Sequence, residues 1–151
     1  MISVLVHVKT VAGLNAREHW RTRASRVRKE LKSTILALIL SRHPAPCLPV
    51  TVRLVRLSAG VLDTDNLQGA VKAIRDGVAI WLDVKDNDPR IVWEYGQEKC
   101  KRGDFGTRII IRAYIPVFNE AEFKEMVRKG TPAWADVPDD WLEELRGNTG
   151  E

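Results

Sequence analysis

Two periods of apolar residues alternate along the chain, and together they predict an α+β fold. An apolar residue at every second position is typical of a strand, and spacings of three and four are typical of a helix. The two-residue period covers segments 2–8, 50–58, 90–99 and 105–115. The helical period covers two long segments, 15–41 and 67–82. The sequence therefore predicts a small mixed or antiparallel sheet of about four strands, packed by two main helices.

The first helical segment combines an apolar face with a row of cations. Asn15 followed by Glu18 is similar to a capping box, which predicts the start of this helix. The face expected to pack on the core consists of Trp20, Ala24, Val27, Leu31, Ile35 and Leu38. The neighbouring stripe consists of Arg17, Arg21, Arg28 and Lys32. Such a stripe either follows a phosphate backbone or is a solvated surface whose long side chains cover apolar atoms. We favour DNA contact, because Glu18 and Glu30 are the only acids between residues 17 and 32.

Aspartates gather at both ends of the second helical segment. They are Asp63 and Asp65 before it, and Asp83, Asp86 and Asp88 after it. Asn66 precedes the first apolar residue and is predicted to be the N-cap, which holds the neighbouring aspartates in place. Carboxylate oxygens are the ligands that Mg²⁺ prefers, and a bound Mg²⁺ can activate water for phosphodiester cleavage. The alternative is that these aspartates are turn residues and a solvated loop.

The order of these residues resembles the RusA family of phage and bacterial Holliday-junction resolvases. The resemblance covers about residues 50–115, and its core is the D-x-D-N-L motif at 63–67, followed by Lys72, Asp76 and an aspartate-rich loop. It implies a RusA-like fold and an Mg²⁺-dependent endodeoxyribonuclease. Such an enzyme acts as a homodimer and resolves four-way DNA junctions in recombination and repair. It also implies metal ligands at Asp63, Asp65 and one aspartate of the later loop, a catalytic lysine, and no nucleotide cofactor.

Two positions depart from the family pattern. Gly69 stands where the family lysine usually lies, and Lys72 comes about one helical turn later. The family loop usually carries Asp-Asp, whereas residues 83–88 read Asp-Val-Lys-Asp-Asn-Asp. Matching from the preceding residues favours Asp86 as the third ligand, and matching from the following strand favours Asp88; we prefer Asp86 and keep Asp88 open. Gly69 also motivates an alternative function, a branched-DNA-binding protein of the same fold with weak or no catalysis.

A second basic group lies between the last two predicted strands. Residues 99–104 are predicted to form a hairpin turn, and their cations could bind DNA or keep the turn soluble. These cations are Lys99, Lys101 and Arg102. Residues 1–116 are predicted to form the nuclease domain, and residues 117–151 a C-terminal helical extension packed on the same domain. The extension lies outside the resemblance, and its many acids argue against DNA contact there.

Composition narrows the class of protein only modestly. The 151 residues include 24 Lys and Arg against 20 Asp and Glu, and the net charge of +4 mildly favours a polyanionic partner. Cys47 and Cys100 are isolated, which excludes a cysteine-rich zinc module. The first residues lack the pattern of a signal peptide, and no apolar run approaches the roughly 20 residues that span a bilayer. We therefore expect a cytoplasmic protein without membrane association.

Overall fold

The computed structural model describes residues 1–12 and 17–114, which form a four-stranded sheet with helices packed on one face. The strands are β1 (Ile2–Val6), β2 (Val50–Ser58), β3 (Ile91–Lys99) and β4 (Gly106–Ala113). The helices are α1 (Trp20–Leu40), α2 (Thr64–Ala70) and α3 (Lys72–Trp81). The predicted α+β class is confirmed. The predicted helical extension 117–151 and the side chain of Asn15 lie outside the described residues. The predicted start of the first helix at residue 15 is wrong, because α1 begins at Trp20 with His19 as its N-cap.

The strand order is β1-β4-β2-β3, and the sheet is mixed. β4 runs antiparallel to both of its neighbours, whereas β2 and β3 are parallel and are connected through α2 and α3. Parallel neighbours require such a crossover connection. β1, β2 and β3 therefore point the same way. The end of the sheet that holds Val6, Ser58, Lys99 and Gly106 is called the carboxyl end here.

The predicted hairpin turn at residues 99–104 is wrong. β2 lies between β3 and β4, so this connection crosses over the carboxyl end of β2. The Cys100 N–H donates to the Ser58 carbonyl at 3.2 Å, and Gly103 adopts a φ of +105°, which glycine tolerates without a steric cost. β2 lies between β3 and β4 because of its apolar content. Val50, Val52 and Leu54 are fully buried, and a strand of that kind is paired on both edges.

The core lies between the sheet and the helices. Alternate residues of β2 and β4 pack against Ile74 and Val78 of α3 and Leu38 of α1, and all three of these helix side chains are fully buried. Burying one such side chain contributes about 1.5–3 kcal/mol. The apolar periods therefore identify the strands and the inner face of α3 correctly. Because β2 is buried and paired on both edges, the segment that follows it starts from a rigid support.

The inner face of α1 differs from the predicted one. Its buried residues are Glu30, Thr34 and Leu38, while Trp20 is 68% exposed and Val27 is 38% exposed. The polar residues tolerate burial because their groups have partners. The Arg26 guanidinium donates to the Glu30 carboxylate at 2.8 Å, and the Thr34 hydroxyl donates to the Glu30 carbonyl at 2.8 Å. Expectation and structure therefore agree at Leu38 and disagree at the first turns of the helix.

Gly77 of α3 selects this face of α1. A Cβ at Gly77 would lie 2.9 Å from the Thr34 Cγ2, closer than such atoms pack, and 3.3 Å from the Leu31 carbonyl oxygen, which is a tight contact. The missing side chain lets Thr34 approach the α3 backbone directly. Because this contact lies between two distant segments, the periodicity of α1 alone cannot predict it.

The predicted single helix over 67–82 is two helices. Val71, with φ −101° and ψ 7°, separates α2 from α3, although its N–H still donates to the Leu67 carbonyl at 3.2 Å. The side chain of Val71 is fully buried, so packing holds the break in place. None of the described helices is long and apolar enough to cross a membrane.

Candidate functional site

Asp63 begins α2 and is fixed by Asn66. One carboxylate oxygen of Asp63 accepts the backbone N–H of Asn66 at 2.9 Å, and the other accepts the Asn66 side-chain amide at 2.8 Å. These hydrogen bonds hold the pKa of Asp63 below its ordinary value. The predicted N-cap at Asn66 is therefore wrong, because the first turn of α2 is polar and apolar periodicity places the start one turn too late. The supporting role of Asn66 takes another form, since its side chain binds the Asp63 carboxylate.

Three residues at the start of α2, Asp63, Asp65 and Asn66, have side-chain oxygens that could serve as metal ligands. Asp65 is in the first turn with an exposed side chain, close in sequence to the fixed carboxylate of Asp63. The side-chain oxygen of Asn66 is buried and has no hydrogen-bond partner among the residues that the structure describes. An unpaired buried oxygen costs about 1–3 kcal/mol, and a cation would satisfy it. Two carboxylates and this amide oxygen are hard ligands of the type that Mg²⁺ takes, with waters completing its shell.

Gln97 of β3 anchors the segment that leads to Asp63. The Leu62 N–H donates to the Gln97 Oε1 at 3.0 Å, and the Gln97 Nε2 donates to the Leu62 carbonyl at 2.6 Å. Paired hydrogen bonds of this kind fix both the position and the orientation of one peptide unit. The sequence signal is weak, because Gln97 is only a polar residue on the same strand face as Trp93 and Tyr95.

Arg56 holds the same segment from the other side. This arginine, near the carboxyl end of β2, is 7% exposed. Its guanidinium donates to the Gly60 carbonyl at 2.9 Å and to the Thr10 hydroxyl at 3.0 Å, and burial lowers the pKa of Arg56. With the two hydrogen bonds at Leu62, the turn from β2 into α2 is tied to β3 through Gln97 and to β2 through Arg56, which is itself held by Thr10. The Asp63 carboxylate therefore stands on a preorganised backbone.

Arg75 fixes the aspartate-rich loop against β3. Its guanidinium donates to the Asp86 backbone carbonyl at 2.8 Å and to the Tyr95 hydroxyl at 3.1 Å. It also lies 5.0 Å from the centroid of the Trp93 ring, and the Trp93 indole N–H donates to the same Asp86 carbonyl at 2.9 Å. Sequence reasoning missed Arg75. An arginine on the helix that crosses over a Trp-x-Tyr strand is the available signal, but it becomes informative only once the β2–β3 pairing is known.

Lys72 and Asp86, two predicted catalytic residues, lie together. The Lys72 Nζ is 3.9 Å from the Asp86 carboxylate and 3.1 Å from the Asp76 carboxylate, and 65% of the lysine side chain is exposed. The second cation near Asp86 is Arg75, at 3.6 Å. Lys72 is thus held beside two acids at the surface of α3, with a terminal ammonium that solvent or a phosphate can reach.

Asp88 is engaged by Arg90. Its carboxylate accepts the Arg90 backbone N–H at 2.9 Å and two guanidinium hydrogen bonds at 3.0 and 2.7 Å. The side-chain and backbone hydrogen bonds from Arg90 lower the pKa of Asp88 to about 2. The structure therefore places Asp86, and not Asp88, beside Lys72.

The two groups of aspartates are anchored to different residues of β3. The segment before Asp63 is bound to Gln97 and the Asp86 backbone to Trp93, and these anchors are four residues apart on β3, about 13 Å along a strand. Across residues 1–12 and 17–114, no three His, Cys, Asp or Glu side chains lie close enough together to hold a metal ion. The side-chain oxygens of Asp63, Asp65 and Asn66 are of the kind that a water-rich Mg²⁺ site uses. The full metal site stays a prediction.

The predicted DNA-binding cations are exposed. This holds for Arg17, Arg21, Arg28 and Lys32 on one side, and for Lys99, Lys101 and Arg102 on the other. The second group and Asp63 follow the carboxyl ends of adjacent strands, so they belong to the same end of the sheet. Arg26 differs from its neighbours on α1, because it binds Glu18 and Glu30 at 3.2 and 2.8 Å and is not available to a phosphate.

Comparison of this chain with protein-family models, with curated proteins and with solved structures finds no match. The resemblance to the RusA family therefore remains an expectation from sequence.

Proposed function

We propose that this chain is a structure-selective endodeoxyribonuclease of the RusA type, which hydrolyses phosphodiesters of four-way DNA junctions in recombination and repair. The observation that carries the proposal is the D-x-D-N turn at the start of α2. There Asn66 fixes the Asp63 carboxylate, Asp65 is exposed, and a buried amide oxygen lacks a partner among the described residues. Asp63 and Asp65 would hold Mg²⁺, which when bound activates water and stabilises charge on the phosphate.

The residues around the turn supply position and charge. Gln97 and Arg56 keep the backbone before Asp63 in one geometry, so that the two carboxylates need little reorganisation when substrate binds. Lys72 places a cation at the surface of α3, where it stabilises negative charge on a bound phosphate. Asp76 orients Lys72 through hydrogen bonds of 3.1 and 3.2 Å, and the Asp86 carboxylate lies 3.9 Å from the same ammonium. The role of Asp86 as the third metal ligand is tested separately from Asp63 and Asp65.

Branched DNA is the proposed partner, together with a second copy of the chain. The exposed cations of α1 and of the connection between β3 and β4 would bind the phosphate backbone. Resolving a junction into two duplexes requires two cuts made close together in time, and the chain contains one D-x-D-N motif. A two-fold homodimer supplies two equal sites related by the symmetry of the junction itself. Within the cell we propose a cytoplasmic location.

The decisive experiment is incubation of the purified protein with a labelled four-way junction and Mg²⁺. We expect paired nicked-duplex products from the wild type and none from Asp65→Asn, which should still bind the junction because a negative charge near phosphate is removed. Sedimentation at micromolar concentration, with and without junction DNA, should show a dimer. Cleavage by Asp65→Asn at the wild-type rate would contradict the site, and a monomer in both conditions would contradict the resolvase mechanism.

A second candidate is a branched-DNA-binding protein of the same fold with weak or no catalysis. Two observations favour it: Gly69 stands at the position of the family lysine, and no three carboxylates of the described residues lie close enough together to hold a metal ion. Junction binding without cleavage across a range of Mg²⁺ and Mn²⁺ concentrations would select this candidate. If neither binding nor cleavage occurs, the basic helix would be assigned to a protein partner instead.

A further inference from the structure

Trp20 is a large aromatic ring on the surface of a cationic helix. It is 68% exposed, although its position in the sequence pattern predicts a core residue. The ring of His19 stacks against it with centroids 5.8 Å apart and planes 29° apart, and the Arg21 guanidinium lies 5.1 Å from its centroid. Most of the ring is therefore open to a contact from outside the described residues.

The surface beside Trp20 is strongly basic. Trp20 lines an open groove of about 530 Å³ together with Arg21, Arg28, Lys29 and Lys32, and the rest of its lining consists of the small residues Ala24, Ser25 and Ser33. None of these lining residues is acidic. Glu30, on the same helix, is buried and bound to Arg26, so its charge does not cancel that of the groove. A row of four cations with small residues between them complements a phosphate backbone.

We propose that Trp20 stacks on an unpaired base of branched or single-stranded DNA while the groove cations bind the adjacent phosphates. Every base offers a flat face to an aromatic ring, so this mode is insensitive to sequence. A base inside duplex DNA has both faces covered by its neighbours. Trp20 would therefore favour DNA with an exposed base over intact duplex, and Arg21, held against the ring, brings a phosphate contact next to the stacked base.

This inference rests on the proposed function only in taking DNA as the partner, and it requires no catalysis. It predicts which DNA the basic face selects: a branch point or end where a base is unstacked. A protein partner is an alternative occupant of the groove, and in that case Trp20→Ala would leave binding to both DNAs unchanged. A second copy of the chain would carry the same positive groove and would be repelled from it.

The test uses oligonucleotides that carry 2-aminopurine, whose fluorescence falls when it stacks, in buffer containing EDTA so that cleavage is excluded. One DNA places the probe at an unpaired position and a matched duplex places it in a pair. We expect the wild type to change the fluorescence of the unpaired probe only. Trp20→Ala should abolish the change and weaken binding to the unpaired DNA by about fivefold to a hundredfold, with duplex affinity unchanged. Trp20→Phe should retain part of the effect.

Leu36→Ala is the matched control, because Leu36 is a 56% exposed apolar residue of the same helix that does not line the groove. It should leave both affinities unchanged, and circular dichroism should show that all variants fold. Equal weakening of duplex and unpaired DNA by Trp20→Ala, or no weakening, would overturn the stacking proposal. A change in sedimentation with Trp20→Ala would assign the ring to a contact between copies. Fluorescence changes in a protein that never cleaves DNA would contradict the nuclease and leave this inference intact.

Discussion

The guanidinium of Arg75 lies 5.0 Å from the ring centroid of Trp93 and joins the two sides of the β2–β3 crossover. Arg75 belongs to α3 and Trp93 to β3, and both donate to the same backbone carbonyl, that of Asp86. The loop after α3 is thereby folded back along the strand instead of extending into solvent. Arg75 and Trp93 together hold the backbone of Asp86, whose carboxylate lies 3.9 Å from the Lys72 Nζ.

Replacing Arg75 should therefore cost more than replacing an arginine at the surface. Arg75→Met removes the hydrogen bonds to Tyr95 and Asp86 and the contact with Trp93, and we expect the free energy of unfolding to fall by about 1–3 kcal/mol. Arg112→Met is the control, because its ion pair with Glu94 is exposed and should be worth less than about 1 kcal/mol. Urea denaturation of the three proteins measures both values. Equal small losses would show that the loop is held by other contacts.

The sequence alone predicts those features of the molecule that arise from interactions between residues close together in the chain. Apolar periods locate the strands and the inner face of α3, because burial of alternate or helically spaced residues leaves a regular trace. The face of α1 depends on the approach of Thr34 to Gly77, which no periodicity of either helix reveals. Apolar periodicity also fails at the start of α2, since the first turn consists of polar residues fixed by Asp63.

The candidate site likewise contains some features that the sequence predicts and others that it does not. The D-x-D-N motif can be read as local chemistry, and the structure shows Asp63 and Asn66 in contact. Gln97 and Arg75 could not be identified from sequence, because both act across the parallel pairing of β2 with β3. The resemblance places the early and late aspartates in one metal site, and this stays a prediction. The two segments have separate anchors, Gln97 and Trp93, which are four residues apart on β3.

Asp63 has a structural role that Asp65 lacks, so their variants should separate stability from activity. Asp63→Asn keeps a side chain that can cap α2, whereas Asp63→Ala removes both acceptors of Asn66. We expect Asp63→Ala to lower the melting temperature, while Asp63→Asn and Asp65→Asn melt close to the wild type. Both Asn variants should still reduce junction cleavage by roughly a hundredfold or more, as removal of one electrostatic group from an active site does. Full activity in Asp63→Asn would exclude it as a metal ligand.

Asp86 and Asp88 should differ in both activity and pH dependence. At neutral pH, Asp86→Asn should slow cleavage strongly and Asp88→Asn only slightly, because Asp88 is bound to Arg90.

The folded pKa of Asp88 is about 2, below the ordinary value of 3.8. Its contribution to stability is therefore fully present above about pH 4 and is lost as the pH falls towards 2. Melting temperatures of the wild type should fall more steeply over this range than those of Asp88→Asn. Parallel curves would contradict the role of the Arg90 contact, and equal small effects of both variants on cleavage would turn the search for a third ligand to Asp83.

Gly69 offers a direct test of the missing lysine. Nothing lies within 4 Å of a Cβ built on Gly69, so a lysine side chain fits there without a clash. Gly69→Lys should raise the rate of junction cleavage if the family position of the lysine matters. Gly69→Gln is the matched control, because both substitutions remove a glycine from α2 and should stabilise the helix by up to about 1 kcal/mol. An equal rate for the two variants would leave Lys72 as the candidate for the catalytic lysine, and Lys72→Met would then be expected to abolish cleavage.

If the basic stripe of α1 binds DNA, the affinity for DNA should depend on the salt concentration through these residues. Each phosphate contact adds roughly 0.9 to the slope of log affinity against log salt concentration. Replacing Arg21, Arg28 and Lys32 together with Ala should therefore weaken binding to every DNA and reduce the slope by about 2 to 3.

The charge-matched control replaces Arg53, Arg108 and Arg112, which lie on the sheet face opposite the helices. That variant loses the same net charge but should keep the wild-type slope, since Arg108 and Arg112 are already paired with Glu98 and Glu94. Fluorescence anisotropy of labelled junction and duplex DNA between 50 and 200 mM salt, about the range over which such slopes are resolved, provides the measurement. If the two triple variants lose slope equally, net charge governs binding, and the stripe of α1 is a solvated surface rather than a DNA-binding face.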